Sequence, residues 1–161
     1  MFDGRMTMPT ILIAMTVAAA ISVVIPPFES GMPELSVDAP PGFVLVSRKG
    51  PDFDVHRLVR KGGKDSDSHL LVYIGHHPRT HAVAQSPWAL THGLKWQKLE
   101  ATTALRAGIR FEALVTGLFR GAAPKEAPHL DALVVHAIVF AKDPDDAAQL
   151  KASFSSIRIK R

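Results

Sequence analysis

The sequence predicts an α+β fold: a mostly antiparallel sheet with a C-terminal helix and few other helices, layered as an α/β/α-type sandwich. Three observations lead there. From Pro33 onward, short apolar runs are separated by Pro, Gly and Asp turns. No strand–helix–strand alternation is visible, which argues against a parallel sheet. One well-capped helix closes the chain.

The elements follow in order. "ELSVD" and "FVLVSR" flank the turn Ala39-Pro40-Pro41-Gly42. In "FDVHRLVR", Phe53, Val55 and Val59 alternate with Asp54, His56 and Arg60, so the apolar set is expected to face the core. Lys61 to Ser68, "KGGKDSDS", has loop composition. "HLLVYIG" is apolar on both faces and reads as a central strand, completing a meander from Phe43 to Gly75. Within "HHPRTHAVAQSPWALTHG", Ser86-Pro87 is a helix-start signal that predicts one helical turn packing Trp88 and Leu90. "LKWQKLEATTAL" and "IRFEALVTGL" are two strands around Arg106-Ala107-Gly108, and "FRGAAPKEAPHL" is a loop. Asp131 to Ala141 forms the most buried strand. Asp143 is then an N-cap, Pro144 occupies the first helical position, and Asp145-Asp146 suit the positive end of the dipole. Ala148, Leu150, Ala152 and Phe154 offer that helix an apolar side, and "SIRIKR" is a short final strand.

The N-terminus has a different character. Arg5 precedes an unbroken apolar or small run from Ile11 to Ile25, closed by Pro26-Pro27. That length matches a signal-peptide core better than the ~20 residues of a comfortable membrane span, although counting residues 9–28 approaches a minimal tether. Ala18-Ala19-Ala20 satisfies the small-x-small cleavage rule, but cutting there leaves "ISVVIPP" as an apolar N-terminus. Residues 1–30 are therefore expected to be a signal peptide or membrane anchor, and 31–161 a single domain. The run shows no helical face, which disfavours a buried amphipathic helix.

Composition sets further bounds. The 161 residues are 47% hydrophobic and 21% charged, ordinary globular values. The net charge of +4 is scattered, and with one Tyr and two Trp there is little for bases to stack on, so no nucleic-acid partner is expected. The absence of cysteine excludes disulfides, thiolate catalysis and lipid attachment at a cysteine.

Candidate chemistry centres on "HLLVYIGHHPRTH", which holds four of the eight histidines. His76, His77 and His81 are the candidate metal ligands, for Zn²⁺, Cu²⁺ or Ni²⁺, with His56 a possible contributor from the preceding strand. Adjacent His76 and His77 would point to opposite faces of a continuing strand, so convergence depends on the turn at Pro78. No carboxylate stands at the HExxH spacing, so the competing reading is a solvated strand end without a cofactor. There is no G-x-S-x-G elbow, S-x-x-K or P-loop, and no catalytic residue is nominated. The carboxylate pairs Asp52/Asp54, Asp65/Asp67 and Asp145/Asp146 read as turn and capping residues, with like-charge coupling conceivable in the first. His136, on the face of Val134, Ile138 and Phe140, reads as a core histidine that becomes pH-sensitive if its partner is a carboxylate. Trp88 and Trp96 are the candidate partner anchors if exposed, and core residues otherwise.

The strand ending in "VDAPPGF" and the closing "PDDAAQLKASFSSIRI" are similar to the PsbP-like fold family, which includes the extrinsic photosystem II protein and bacterial periplasmic relatives such as DcrB. Pro40, Pro41, Gly42 and Phe43 match the family's opening turn, and Ser153-Phe154 its closing helix; the resemblance spans residues 34–161. It implies a domain that binds or stabilises a partner and carries no shared active site. The missing lipidation cysteine is a departure that leaves residues 9–28 as the membrane tether. The functional expectation is thus an exported, non-enzymatic periplasmic domain that binds a protein partner at the envelope. A periplasmic metal-binding protein using His76, His77 and His81 is the alternative.

Overall fold

The computed structural model describes residues 19–64, 67–81, 84–92, 94–100, 107–121, 123 and 125–160, with the backbone alone for 84–91 and 100. Among the described residues ten strands form two antiparallel sheets. The smaller contains β1 (Ile21–Ile25), β2 (Leu35–Ala39) and β10 (Arg158–Ile159), with β2 in the middle. The larger has β3 (Phe43–Lys49), β4 (Phe53–Arg60), β5 (His69–Gly75), β6 (Ala84–Thr91), β7 (Leu94–Glu100), β8 (Ile109–Thr116) and β9 (Val134–Phe140). Its spatial order is β3-β4-β5-β9-β8-β7-β6, so the two strands expected to be most buried, β5 and β9, are neighbours near its centre. With α1 (Pro144–Ser155) this is an α+β chain dominated by antiparallel sheet.

Local signals account for several elements. Pro41 and Gly42 occupy the two central turn positions between β2 and β3. Gly42 has φ +80°, and the Phe43 amide donates to the Pro40 carbonyl at 3.1 Å. That is the geometry in which proline precedes a residue free to take positive φ. Asp143 caps α1 by accepting from the Asp146 amide at 2.8 Å. The buried stripe of α1 is Asp146, Leu150, Ser153 and Phe154, spaced by three and four. Ala148 and Ala152, expected on that side, are exposed. Asp146 lies in the stripe because the Arg60 guanidinium of β4 pairs with it.

Both sheets and α1 contribute to one apolar cluster. Leu58, Leu70, Val72, Val135, Ala137 and Ala113 lie on one face of the large sheet and join Leu35, Val37, Leu150 and Phe154 in a single apolar cluster.

Three expectations change. β1 lies inside the N-terminal segment expected to precede the domain. It pairs with β2 from Ile21↔Ala39 to Ile25↔Leu35, and Ile25 is fully buried, so the folded unit begins before residue 31. The helical turn expected after Ser86-Pro87 is instead strand β6. A proline that can open a helix can equally sit on an edge strand, where its missing N–H breaks no ladder; β6 is an edge, and its register shifts between Pro87 and Ala89. The third concerns β4. Asp54, His56 and Leu58 face the core, while Phe53, Val55 and Val59 are half-exposed, the reverse of the expected orientation. Leu58 sits opposite Leu70, which faces the shared core, and so fixes the face.

Among the described residues no helix is long and apolar enough to cross a membrane; the apolar run through residue 18 lies outside them.

Candidate functional site

The histidine-rich segment begins where β5 ends. A Cβ on Gly75 would collide with the Tyr73 hydroxyl and lie 2.8 Å from the Phe53 Cβ, so only glycine fits there. The Tyr73 ring stacks on Phe53 at 5.7 Å, and its hydroxyl accepts from the His77 amide at 3.2 Å. These contacts turn the chain off the sheet and set the path of the imidazoles.

The three predicted ligands divide between two groups. The His76 ring lies 6.3 Å from that of His77 and 6.1 Å from that of His129. His129 belongs to a short 3-10 turn, Pro128–Ala132, just before β9. Gly75 pairs with Val134 in the antiparallel β5–β9 ladder, so the chain leaving β5 and the chain entering β9 share one end of the sheet. His81 joins another group. Its amide donates to Glu112 Oε1 at 3.0 Å, and its Nδ1 stands 3.6 Å from the same oxygen. Among the described residues no three ligating groups are close enough to share an ion.

Glu112 and His136 form a pair 2% exposed on each side, with His136 Nε2 2.8 Å from Glu112 Oε1. The second carboxylate oxygen, Oε2, is buried without a hydrogen-bond partner among the described residues. Burial pushes the Glu112 carboxyl up, but the hydrogen bonds from His136 and the His81 amide, and the charges of both, hold it below its ordinary value. A carboxyl depressed on folding stabilises the fold above its unfolded value, and that contribution is lost as pH falls through the folded value. Glu112→Ala leaves a buried imidazole without its acceptor. It is expected to cost about 1–3 kcal/mol in urea unfolding at pH 7, with Glu112→Gln, which keeps an acceptor, losing less.

Inside the β3–β4 hairpin, Ser47 Oγ and His56 Nδ1 are 2.8 Å apart, a distance suited to a nucleophile and its base. His56 is 1% exposed, and burial first, then the charge of Lys49, lower its pKa to about 4, a weak base at neutral pH. Among the described residues its Nε2 has no hydrogen-bond partner, and neither has Asp54 Oδ2, which lies 4.0 Å from Lys49 Nζ. Burial raises the Asp54 carboxyl above its ordinary value. Asp52 is exposed, so it does not share this environment; Asp145 is exposed as well, and Asp65 lies outside the described residues.

The two tryptophans differ. Trp96, a candidate partner anchor, is 2% exposed and edge-on to Phe154 at 4.7 Å, which makes it a core residue. The side chain of Trp88 lies outside the described residues.

An exposed apolar surface occurs on the other face of β3 and β4. Val44 and Val46 of the edge strand are 38% and 53% exposed. Beside them a cleft of about 610 Å³ is lined by Val46, Phe53, Val55 and Val59, with Arg48, Lys49 and Arg57 contributing positive charge. His129, Glu112 and this surface are the features that sequence reasoning missed. A glutamate within a strand otherwise rich in buried apolar residues was the available signal for Glu112; His129 carried none.

No family model, curated protein or solved structure matches this chain.

Proposed function

We propose that this chain is an exported, non-enzymatic periplasmic domain that docks a protein partner at the cell envelope on the outer face of β3 and β4. The observation that carries the reading is the pair Val44 and Val46, exposed on an edge strand beside an apolar cleft flanked by cations. An edge strand offers unpaired backbone groups to an added strand, and alternate side-chain pockets supply selectivity. The basic rim favours a partner segment that is extended, apolar and acidic. Export is supported by the Ile11–Ile25 run and by Ala18-Ala19-Ala20 standing immediately before β1. Cleavage after Ala20 would make Ile21 the first residue of a paired strand, which answers the objection to an apolar N-terminus. The PsbP-like resemblance and the α/β/α-type layering belong to the same proposal, supported by the closing order of α1 and β10.

The test places a photo-crosslinking residue at Val46 of the full chain, in bacterial cells, with a control at the exposed Lys125. A discrete adduct with one envelope protein from Val46 alone, weakened by Val44→Glu, is expected. Adducts equal to the control would overturn the docking surface. Mass measurement of the fractionated product is expected to give a chain starting at Ile21. A cytoplasmic full-length product would overturn export.

A second reading is favoured by the His76, His77 and His129 cluster: capture of Zn²⁺ or Cu²⁺ by imidazoles that rotate toward one another. Calorimetric titration of tag-free protein separates it from the first. One-to-one binding lost in His129→Ala and kept in His81→Ala would support it, and superstoichiometric binding insensitive to both would remove it.

A further inference from the structure

The end of α1 and the strands β7 and β8 enclose a cleft of about 390 Å³ on the opposite half of the large sheet from β3 and β4. Lys98 of β7, Arg110 of β8 and Lys151 of α1 line it, one cation from each element. Phe111 and Phe154 form its apolar wall, with Ser155 adding a hydroxyl. Among the described residues that line it there is no carboxylate.

Two of the cations are positioned. Arg110 Nε donates to the Ala141 carbonyl at 3.0 Å, which fixes the guanidinium plane and leaves its terminal N–H groups without a protein partner among the described residues. The Lys151 ammonium lies 6.0 Å over the Phe111 ring, at the outer limit of a cation–π contact, and makes no ion pair among the described residues. A fixed guanidinium and an ammonium facing one cleft suit a carboxylate, the first as a planar fork and the second as a point charge. The phenylalanine wall supplies what a bare inorganic ion does not use. The volume lies near the lower end of small-molecule sites, roughly 300–1,000 Å³.

We propose that this cleft binds a small organic monoanion: a carboxylate on an aromatic or short acyl body, its head toward Arg110 and Lys151 and its body against the accessible edge of Phe111, which Phe154 backs from the core. The site is independent of the β3–β4 surface, so its test does not depend on the docking proposal.

Calorimetry on the full chain would use benzoate, octanoate, inorganic phosphate and neutral benzamide. At least one of the two carboxylates is expected to bind one-to-one and saturably, with phosphate and benzamide roughly tenfold weaker or more. Lys151→Glu, an exposed substitution on α1 whose folding is checked by circular dichroism, is expected to weaken that carboxylate at least about tenfold. Lys125→Glu, outside the cleft, is expected to leave it unchanged. Absence of saturable carboxylate binding in the millimolar range, phosphate binding as tight as the carboxylate, or equal effects of the two substitutions would each overturn the proposal.

Discussion

Acidification from pH 6.5 to pH 4 is expected to remove about 3 kcal/mol of folding stability through His56 alone, because its pKa falls from 6.5 to about 4 on folding. Two features keep the imidazole neutral. It is 1% exposed, and its Nδ1 lies 2.8 Å from Ser47 Oγ while Nε2 has no hydrogen-bond partner among the described residues. Burial is the larger cause and the nearby Lys49 charge the smaller. The sign follows from which state takes the proton first. Between the two values the unfolded chain is protonated at this position and the folded chain is not, so protons favour unfolding. The contribution is complete above pH 6.5 and is lost as pH falls to about 4. Asp54 acts oppositely. Its raised carboxyl penalises the fold when ionised, and that penalty is relieved as pH falls through the folded value. Urea midpoints taken between pH 4.5 and 7 isolate the histidine. In His56→Leu the slope in this window should flatten, with stability at pH 7 unchanged or higher, since an unpartnered polar atom has left the interior. An unchanged slope would mean that His56 titrates in water and that the β3–β4 hairpin is open in solution.

That buried histidine also shows where sequence reasoning stops. Alternation along β4 says that its two faces differ; it does not say which one goes inside. Three apolar side chains at Phe53, Val55 and Val59 suggested the inner face, yet Leu58 opposite Leu70 decides the register and carries Asp54 and His56 inward. Where a local signal has one meaning, the sequence was sufficient. Asp143, Pro144, Asp145 and Asp146 specify the start of α1 within four residues, and Pro41-Gly42 specifies a turn. Where a local signal has two meanings it misled, as Pro87 did by serving an edge strand and not a helix. The candidate site was half-legible for another reason. His76 and His77 share a strand end by sequence, but His129 reaches them only through the long-range β5–β9 ladder, and His81 is drawn away by Glu112 of β8. Those pairings bridge 31 residues or more, which no local pattern encodes.

The joint between α1 and the sheet is where the largest loss from a single substitution is expected. Phe154 is 1% exposed and lies between two other aromatic rings, with Phe111 at 4.6 Å and Trp96 at 4.7 Å. Truncation to alanine removes the burial of a whole ring, leaves a cavity that rigid strands cannot close, and deletes two aromatic contacts. The expected cost is about 3–5 kcal/mol, a third or more of the stability of an ordinary domain. For a chain of this length that lowers Tm by roughly 10–20 °C. Phe154→Leu keeps most of the apolar volume and should lose about 1–2 kcal/mol. Fluorescence in a Trp88→Phe background reads the same joint from inside. Emission from Trp96 should shift to the red in Phe154→Ala, as water reaches an indole that is now buried, and stay near its original position in Phe154→Leu. A loss below about 1 kcal/mol for the alanine variant would mean that Leu150 and Ile157 hold α1 without the aromatic cluster.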